Sequence, residues 1–323
     1  MNEVILKVED LRTYFFTRKG VAKAVDGVSF SVHEGETFGI VGESGCGKTV
    51  TGLSILRLLP KPAGRIMGGK IFLDGTNLLE LSEKEMRSYR GKKISMILQD
   101  PMTSLNPVYP IGDQIAEAVR LHQNIPDREI EKEVISSLRL LRIPAPEMIL
   151  HNYPFQLSGG MRQRVVGAIA MSCKPRLLIA DEPTTALDAT IQAQYIALFQ
   201  EVQEKTNVGI IYITHDFAVV AKICHRVGVM YTGKIVETAS IVDLFKHPLH
   251  PYTVALINSV PRLERKDERL YSIEGQPPSL LNLPPGCRFY SRCPVGMPIC
   301  TEQEPPEVEI DKEHFVSCWK MYK

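Results

Sequence analysis

The sequence predicts an α/β fold organised around a phosphate-binding loop, and three observations carry that expectation. Residues Gly42-Glu43-Ser44-Gly45-Cys46-Gly47-Lys48-Thr49 fill the pattern G-x-x-x-x-G-K-[ST]. The pattern sits between an apolar run, Thr37 to Val41, and a segment carrying Leu53, Leu56 and Leu59 at helical spacing. Further on, short and wholly apolar runs such as Leu177–Ala180 and Gly209–Ile213 alternate with helical patterns. That alternation is the mark of a parallel sheet covered on both faces.

Strands are expected on either side of the loop, over Val4–Val8, Ala24–Val32 and Lys70–Leu73. From about residue 100 to 170 the pattern turns helical. Ile111, Ile115, Ala118 and Leu121 share one face, and Ile130, Val134, Leu138 and Leu141 share another, behind an Asp127 cap. Thr232-Gly233, between Val227–Tyr231 and Lys234–Glu237, reads as a hairpin turn. Beyond residue 240 the texture changes, and half of the 22 prolines lie there. Such a stretch has little core of its own and needs a staple. The expected organisation is therefore one large domain, 1–240, followed by an irregular extension, 241–323.

At 323 residues the chain is long for a single core. Its formal charge of +1 gives no sign of a nucleic-acid partner or of an anionic membrane surface. No apolar run approaches the ~18 residues that span a bilayer. Met1-Asn2-Glu3 begins nothing like a signal peptide. A soluble, cytosolic chain is expected, one that would act at a membrane only through partners.

The loop chemistry follows from its residue types. Glycines let successive N–H groups turn toward phosphate oxygens, and the helix N-terminus adds its dipole. Lys48 would reach the terminal phosphates, and the Thr49 hydroxyl would ligate Mg²⁺. Gly42, Ser44, Gly45, Cys46, Gly47 and Val50 complete the expected ATP contacts. Asp181-Glu182 ends an apolar run. There Asp181 would hold Mg²⁺, and Glu182 would orient or deprotonate the attacking water.

Leu157-Ser158-Gly159-Gly160-Met161-Arg162-Gln163 precedes that run. With it the chain resembles the ATP-binding cassette (ABC) ATPases, whose signature is LSGG-x-x-Q. The resemblance implies the ABC fold: a P-loop mixed-sheet core, an antiparallel β subdomain and an α-helical subdomain near 100–170. It implies that Ser158, Gly159, Gly160 and Gln163 close over ATP held by a second ATPase subunit, identical or different. It makes Gln99 the residue that senses Mg²⁺ and water, Ala186-Leu187-Asp188 the loop crossing the dimer interface, and His215 the γ-phosphate contact. Phe15 is favoured to stack on adenine, with Tyr14 and Phe16 as rivals. Membrane-embedded permease subunits, two of them, and a solute-binding protein are the implied partners, with the chain on the cytoplasmic face of the membrane.

The extension, with His247-Pro248-Leu249-His250-Pro251-Tyr252-Thr253 and Cys287, Cys293, Cys300 and Cys318, resembles the tails of dipeptide and oligopeptide importer ATPases. Five, six and seventeen residues separate the cysteines. No C-x₂₋₄-C pair is present, so structural zinc is the lesser alternative and a 4Fe–4S cluster, which related tails carry, the favoured one. A metal-free tail stays open, as do related importers of nickel complexes or glutathione, a DNA-maintenance or translation ABC ATPase, and a redox-regulated ATPase. The histidines read as turn and packing residues, and Trp319 is expected to pack at the cysteines.

Overall fold

The structure, a computed structural model, describes residues 3–100, 104–185, 187–260 and 272–322. The chain falls into two compact units, each built from separate stretches. One comprises the residues up to Leu6, Val32–Thr37 and Leu73–Tyr212. The other comprises Lys7–Ser31, Phe38–Phe72 and the residues from Ile213 onward.

The first unit holds the two-residue strand β5 (Thr76–Asn77); in it β6 (Ile94–Ile97) and β7 (Leu177–Asp181) run parallel, and β8 (Gly209–Thr214) follows on the far side of β7. Leu177, Leu178, Ile179 and Ala180 are all at most 1% exposed. Burying each large aliphatic side chain is worth roughly 1.5–3 kcal/mol, so these strands are rigid places to hang chemistry. The helices of this unit are α2 (Glu83–Tyr89), α3 (Ile111–His122), α4 (Asp127–Leu140), α5 (Pro146–Ile149), α6 (Gly159–Met171) and α7 (Ala189–Thr206).

Two helical details differ from expectation. The inward stripe of α3 is Ile111, Ile115, Ala116 and Val119, while Leu121 is 71% exposed. The spacing 0, 4, 5, 8 stays within one continuous helix face, whereas ten residues on from Ile111 has left it. Asp127 is the first helical residue of α4 and not its cap. Pro126 is the cap, and the Asp127 carboxylate instead meets the positive end of the helix dipole. Ile130, Val134, Leu138 and Leu141 are buried as predicted.

In the second unit, β1 (Val4–Thr17), β2 (Gly20–His33) and β4 (Gly64–Leu73) share a sheet in the order β2-β1-β4. β1 is much longer than predicted, because its inward positions change from Leu6 and Val8 to Leu11 and Thr13. The change occurs across Asp10, whose φ is 45°. That shift breaks the simple alternation on which the sequence reading relied. A second sheet runs β11 (Val308–Asp311), β12 (His314–Val316), β10 (Lys234–Ser240), β9 (Arg226–Tyr231), β3 (Thr37–Val41). β3 and β9 are parallel, and β9 and β10 form the predicted hairpin. Thr232 and Gly233 have φ of 39° and 86°, as a two-residue turn of the primed type needs.

The extension carries α9 (Ile241–Lys246), α10 (Pro251–Asn258), a single turn at Tyr290–Arg292 and α11 (Ile299–Glu302) before β11 and β12. Its staple is strand pairing and buried polar contacts. β12 pairs antiparallel with β10, Val316 opposite Glu237. The Glu237 carboxylate, 1% exposed, accepts from Leu249 N (2.8 Å), His250 N (2.9 Å) and His314 Nε2 (2.8 Å). The His250 ring, 1% exposed, caps α10 by accepting from Tyr252 N at 3.0 Å. No helix among the described residues is long and apolar enough to cross a membrane.

Burial pushes the His250 pKa down to about 4, partly opposed by Glu237. A folded pKa below the unfolded value of about 6.5 means that stability is intact above pH 6.5. It is lost as pH falls toward 4, by up to about 3 kcal/mol. Urea midpoints measured between pH 7 and 4 should therefore fall less steeply in H250N, which keeps a capping side chain, than in the wild type. Parallel curves would refute the assignment.

Candidate functional site

The phosphate loop spans the end of β3 and the start of α1 (Lys48–Ile55). Gly42 and Gly47 have φ of 155° and 113°, and space as well as conformation demands glycine. A Cβ on Gly42 would lie 2.1 Å from Met230 O, and one on Gly47 would lie 2.2 Å from Ala24 O. The β9–β10 turn supports the loop from below, with Gly233 N donating to Cys46 O at 2.8 Å. Lys48, 5% exposed, donates from Nζ to Gly42 O (2.8 Å) and Glu43 O (3.0 Å). Ser44, Gly45 and Thr49 are exposed on the rim, and Val50 is half-buried. Cys46 is buried and burial raises its thiol pKa.

Of the three N-terminal aromatics, Tyr14 donates its hydroxyl to Asp26 Oδ1, and burial with that bond pushes its pKa up to about 12. Phe16 is 38% exposed and lies under the Arg65 guanidinium. Phe15 is half-buried and packs beside Gly64. His215 is exposed between β8 and α8 (Phe217–Ile223), where Asp216 caps α8 through Ala218 N at 2.8 Å.

In the first unit, the β6–β7 register explains a pairing that sequence alone does not reveal. Ile97 lies opposite Ala180, so Gln99 and Glu182 leave their strands side by side. Gln99 Nε2 donates to Glu182 Oε2 at 3.1 Å, and the Thr185 hydroxyl donates to the same oxygen at 3.0 Å. Glu182 has φ of 45°, a left-handed conformation rare for a residue with a side chain and typical of functional positions. Asp181 is 1% exposed at the end of β7.

Ser158 caps α6, its hydroxyl accepting from Met161 N at 3.4 Å, and Ser158 and Gly159 are exposed. A Cβ on Gly159 would meet open space, whereas one on Gly160 would press on Ile191. Gln163 is fully buried, and its Nε2 donates to Pro183 O at 2.6 Å, so its side chain holds the strand end beside Glu182. Of the expected Ala186-Leu187-Asp188 loop, Ala186 lies outside the described residues. Asp188 caps α7 through Thr190 N and Ile191 N, both at 3.0 Å.

The metal expectation at the extension finds no support in the side-chain arrangement. Cys287 N donates to Cys300 O at 2.8 Å. Burial and the neighbouring Cys300, Cys318 and Cys293 push the Cys287 thiol up to about 11. Among the described residues, however, no three His, Cys, Asp or Glu side chains are grouped to hold a metal ion. Neither zinc nor a 4Fe–4S cluster is supported by that arrangement. Trp319 instead donates to Gln303 O and stacks edge-on with Tyr322.

A glycine-cleared phosphate loop joined to parallel strands, with a carboxylate pair at a strand end, defines a P-loop nucleotide-binding protein. The description "ABC transporter" matches residues 25–185, and "Oligopeptide/dipeptide transporter, C-terminal region" matches 236–300. A probable peptide ABC transporter ATP-binding protein of Sinorhizobium fredii is 52% identical, covering 98% of this chain and 95% of its own. The dipeptide transport ATP-binding protein of Bacillus subtilis is 50% identical over the same shares. A dimeric ATP-binding cassette solved with ADP and phosphate shares the fold at TM-score 0.65 and 23% identity, over 73% of this chain and 98% of that one. The chain belongs to the ATP-binding proteins of ABC transporters, and as such it binds and hydrolyses ATP.

Replacing Gln163 by Leu removes the Pro183 anchor while keeping the volume apolar. Loss of one buried hydrogen bond costs about 1–3 kcal/mol. Steady-state assays of Q163L should show kcat lowered about tenfold with KM for ATP unchanged; a rise in KM with normal kcat would make Gln163 a nucleotide contact instead.

Proposed function

We propose that this chain is the ATP-hydrolysing subunit of an importer of dipeptides or oligopeptides. The observation that carries this reading is the reach of the likeness. Relatives described as dipeptide and oligopeptide transport ATP-binding proteins match across 98% of the chain, extension included. Two permease subunits, a solute-binding protein and a second ATPase subunit are the partners, with the chain docked at the cytoplasmic face of the membrane.

In this reading Gly42, Ser44, Gly45, Cys46, Gly47 and Val50 present backbone and rim contacts to the phosphates, and Phe15 stacks on adenine. Lys48 and His215 stabilise charge on the γ-phosphate. Glu182, steadied by Gln99 and Thr185, positions and deprotonates the attacking water. Thr49, Asp181 and the Gln99 amide oxygen are hard oxygen donors that fit Mg²⁺, which would supply charge neutralisation at the phosphates. Ser158, Gly159 and Gly160 present bare N–H groups at the start of α6 to nucleotide on the second subunit.

For the extension, a 4Fe–4S cluster has donor chemistry alone behind it. Burial, and after it the neighbouring cysteines, raise the thiols of Cys287, Cys293 and Cys318, and thiolates are soft donors that suit iron. Iron and acid-labile sulfide assays on anaerobically purified protein decide it.

Glu182→Gln keeps the shape and removes the base, and general-base loss typically costs 10²–10⁴-fold. E182Q should bind ATP normally, lose about 10²-fold or more in turnover, and elute as an ATP-trapped dimer in size exclusion. Wild-type turnover would remove Glu182 from the mechanism.

A further inference from the structure

The extension reaches the phosphate loop itself. Arg292 Nη1 and Nη2 donate to the two Glu43 carboxylate oxygens at 2.7 and 2.9 Å, a fork-to-fork pair. The same guanidinium donates to the Tyr231 hydroxyl (3.3 Å) and, through Nε, to Glu274 O (3.0 Å). Its centre lies 5.9 Å from the ring centroids of both Tyr231 and Phe289. The Arg292 side chain is 3% exposed, and that of Glu43 is 28% exposed. The Glu43 hydrogen bonds raise the Arg292 pKa further, so the guanidinium is charged at every working pH. From α10, the Tyr252 hydroxyl accepts the Glu43 N–H at 2.9 Å. Both the backbone and the side chain of the second residue of the loop are thus held by the extension.

What they hold is next to the chemistry. Glu43 O is one of the two carbonyls that anchor Lys48 Nζ, and it also accepts from Cys46 N at 3.3 Å. Glu43 is, besides, an acid inside a loop whose ligand is polyanionic. Without a partner its charge would oppose the phosphates, in a setting only partly screened by water.

We propose that Arg292, with Tyr252, is a positioning residue for ATP binding: it fixes the Glu43 segment and cancels the carboxylate that would otherwise repel the nucleotide. The inference rests on the reading of residues 42–49 as the nucleotide site. It makes two separable contributions, orientation and neutralisation, and double substitution distinguishes them. R292Q loses both. E43Q loses orientation alone, because it also deletes the repelling charge. E43Q/R292Q therefore binds better than R292Q, although it is altered at two positions.

The test is equilibrium titration of the full-length chain with a fluorescent ATP analogue and Mg²⁺, together with KM and kcat in the assembled transporter. R292Q should raise Kd and KM about tenfold and leave kcat within about twofold, as expected for a desolvated ion pair that acts before chemistry. E43Q should raise Kd no more than about threefold, and E43Q/R292Q should return at least halfway, on a logarithmic scale, to the wild-type value. Kd for R292Q within twofold of wild type, or a double variant no tighter than R292Q, overturns the proposal. Should R292Q fold too poorly to titrate, R292K and Y252F carry the test. Each should weaken binding about threefold, by losing the fork or the Glu43 N–H acceptor. Wild-type affinity in both overturns it. K48A serves as the reference: binding that survives K48A sinks the site assignment itself, whereas binding lost in K48A and retained in R292Q sinks only the role of Arg292.

Discussion

The phosphate loop works only if its inner face is bare backbone, and much of the second unit exists to keep it so. At Gly42 and Gly47, neighbouring carbonyls stand where a side chain would begin, Met230 O at 2.1 Å and Ala24 O at 2.2 Å. Those carbonyls belong to β9 and β2, so the loop curls because two strands press against it. Glycine at these positions answers tight packing as well as a backbone angle. The Thr232-Gly233 turn closes the support through Cys46 O.

The extension follows from the same requirement. Arg288, 7% exposed, donates to Thr232 O at 2.6 Å and pairs with Asp26 and Glu304. Arg292, four residues on, pairs with Glu43. One arginine therefore holds the turn beneath the loop and the other holds the loop. Each stands next to a cysteine, Cys287 before Arg288 and Cys293 after Arg292. A buried guanidinium is costly unless its whole fork is satisfied. Here backbone carbonyls, carboxylates and a tyrosine hydroxyl complete the set. The proline-rich tail accordingly needs no large core, because β12 on β10 and these ionic anchors fasten it to a rigid sheet edge.

The parts of the fold legible in the sequence were those in which a local signal coincides with the final environment. β3, the loop, β7 and the Thr232-Gly233 hairpin all combine uniform burial or obligatory glycines with short sequence distance. The pairing of Gln99 with Glu182 was not legible as a contact, because it depends on the parallel register of strands more than 80 residues apart. The Gln163 bond to Pro183 was not legible for a related reason: its motif position says nothing about which side of the helix start its amide faces. The β11–β12 hairpin was missed because Val308–Asp311 is mostly exposed and lacks an apolar alternation. The four-cysteine pattern has a visible spacing, while the arginines beside those cysteines, which hold the loop and its turn, carry no spacing signal at all.

The division of the chemistry follows from what each unit exposes. The second unit closes its loop around Lys48 and leaves Ser44, Gly45 and Thr49 at the rim, so it presents a complete cradle for one set of phosphates. The first unit presents a different feature: Ser158 and Gly159 are open to solvent at the head of a 13-residue helix. Of the donors there, Met161 N is satisfied by Ser158, whereas a helix leaves four N–H groups without intrahelical acceptors. Gly159, whose surroundings would admit a Cβ without contact, is then glycine for the sake of something that approaches from outside. In the proposed reading, a chain that offers both a phosphate loop and an open helix start is suited to sharing nucleotide with a second ATPase subunit.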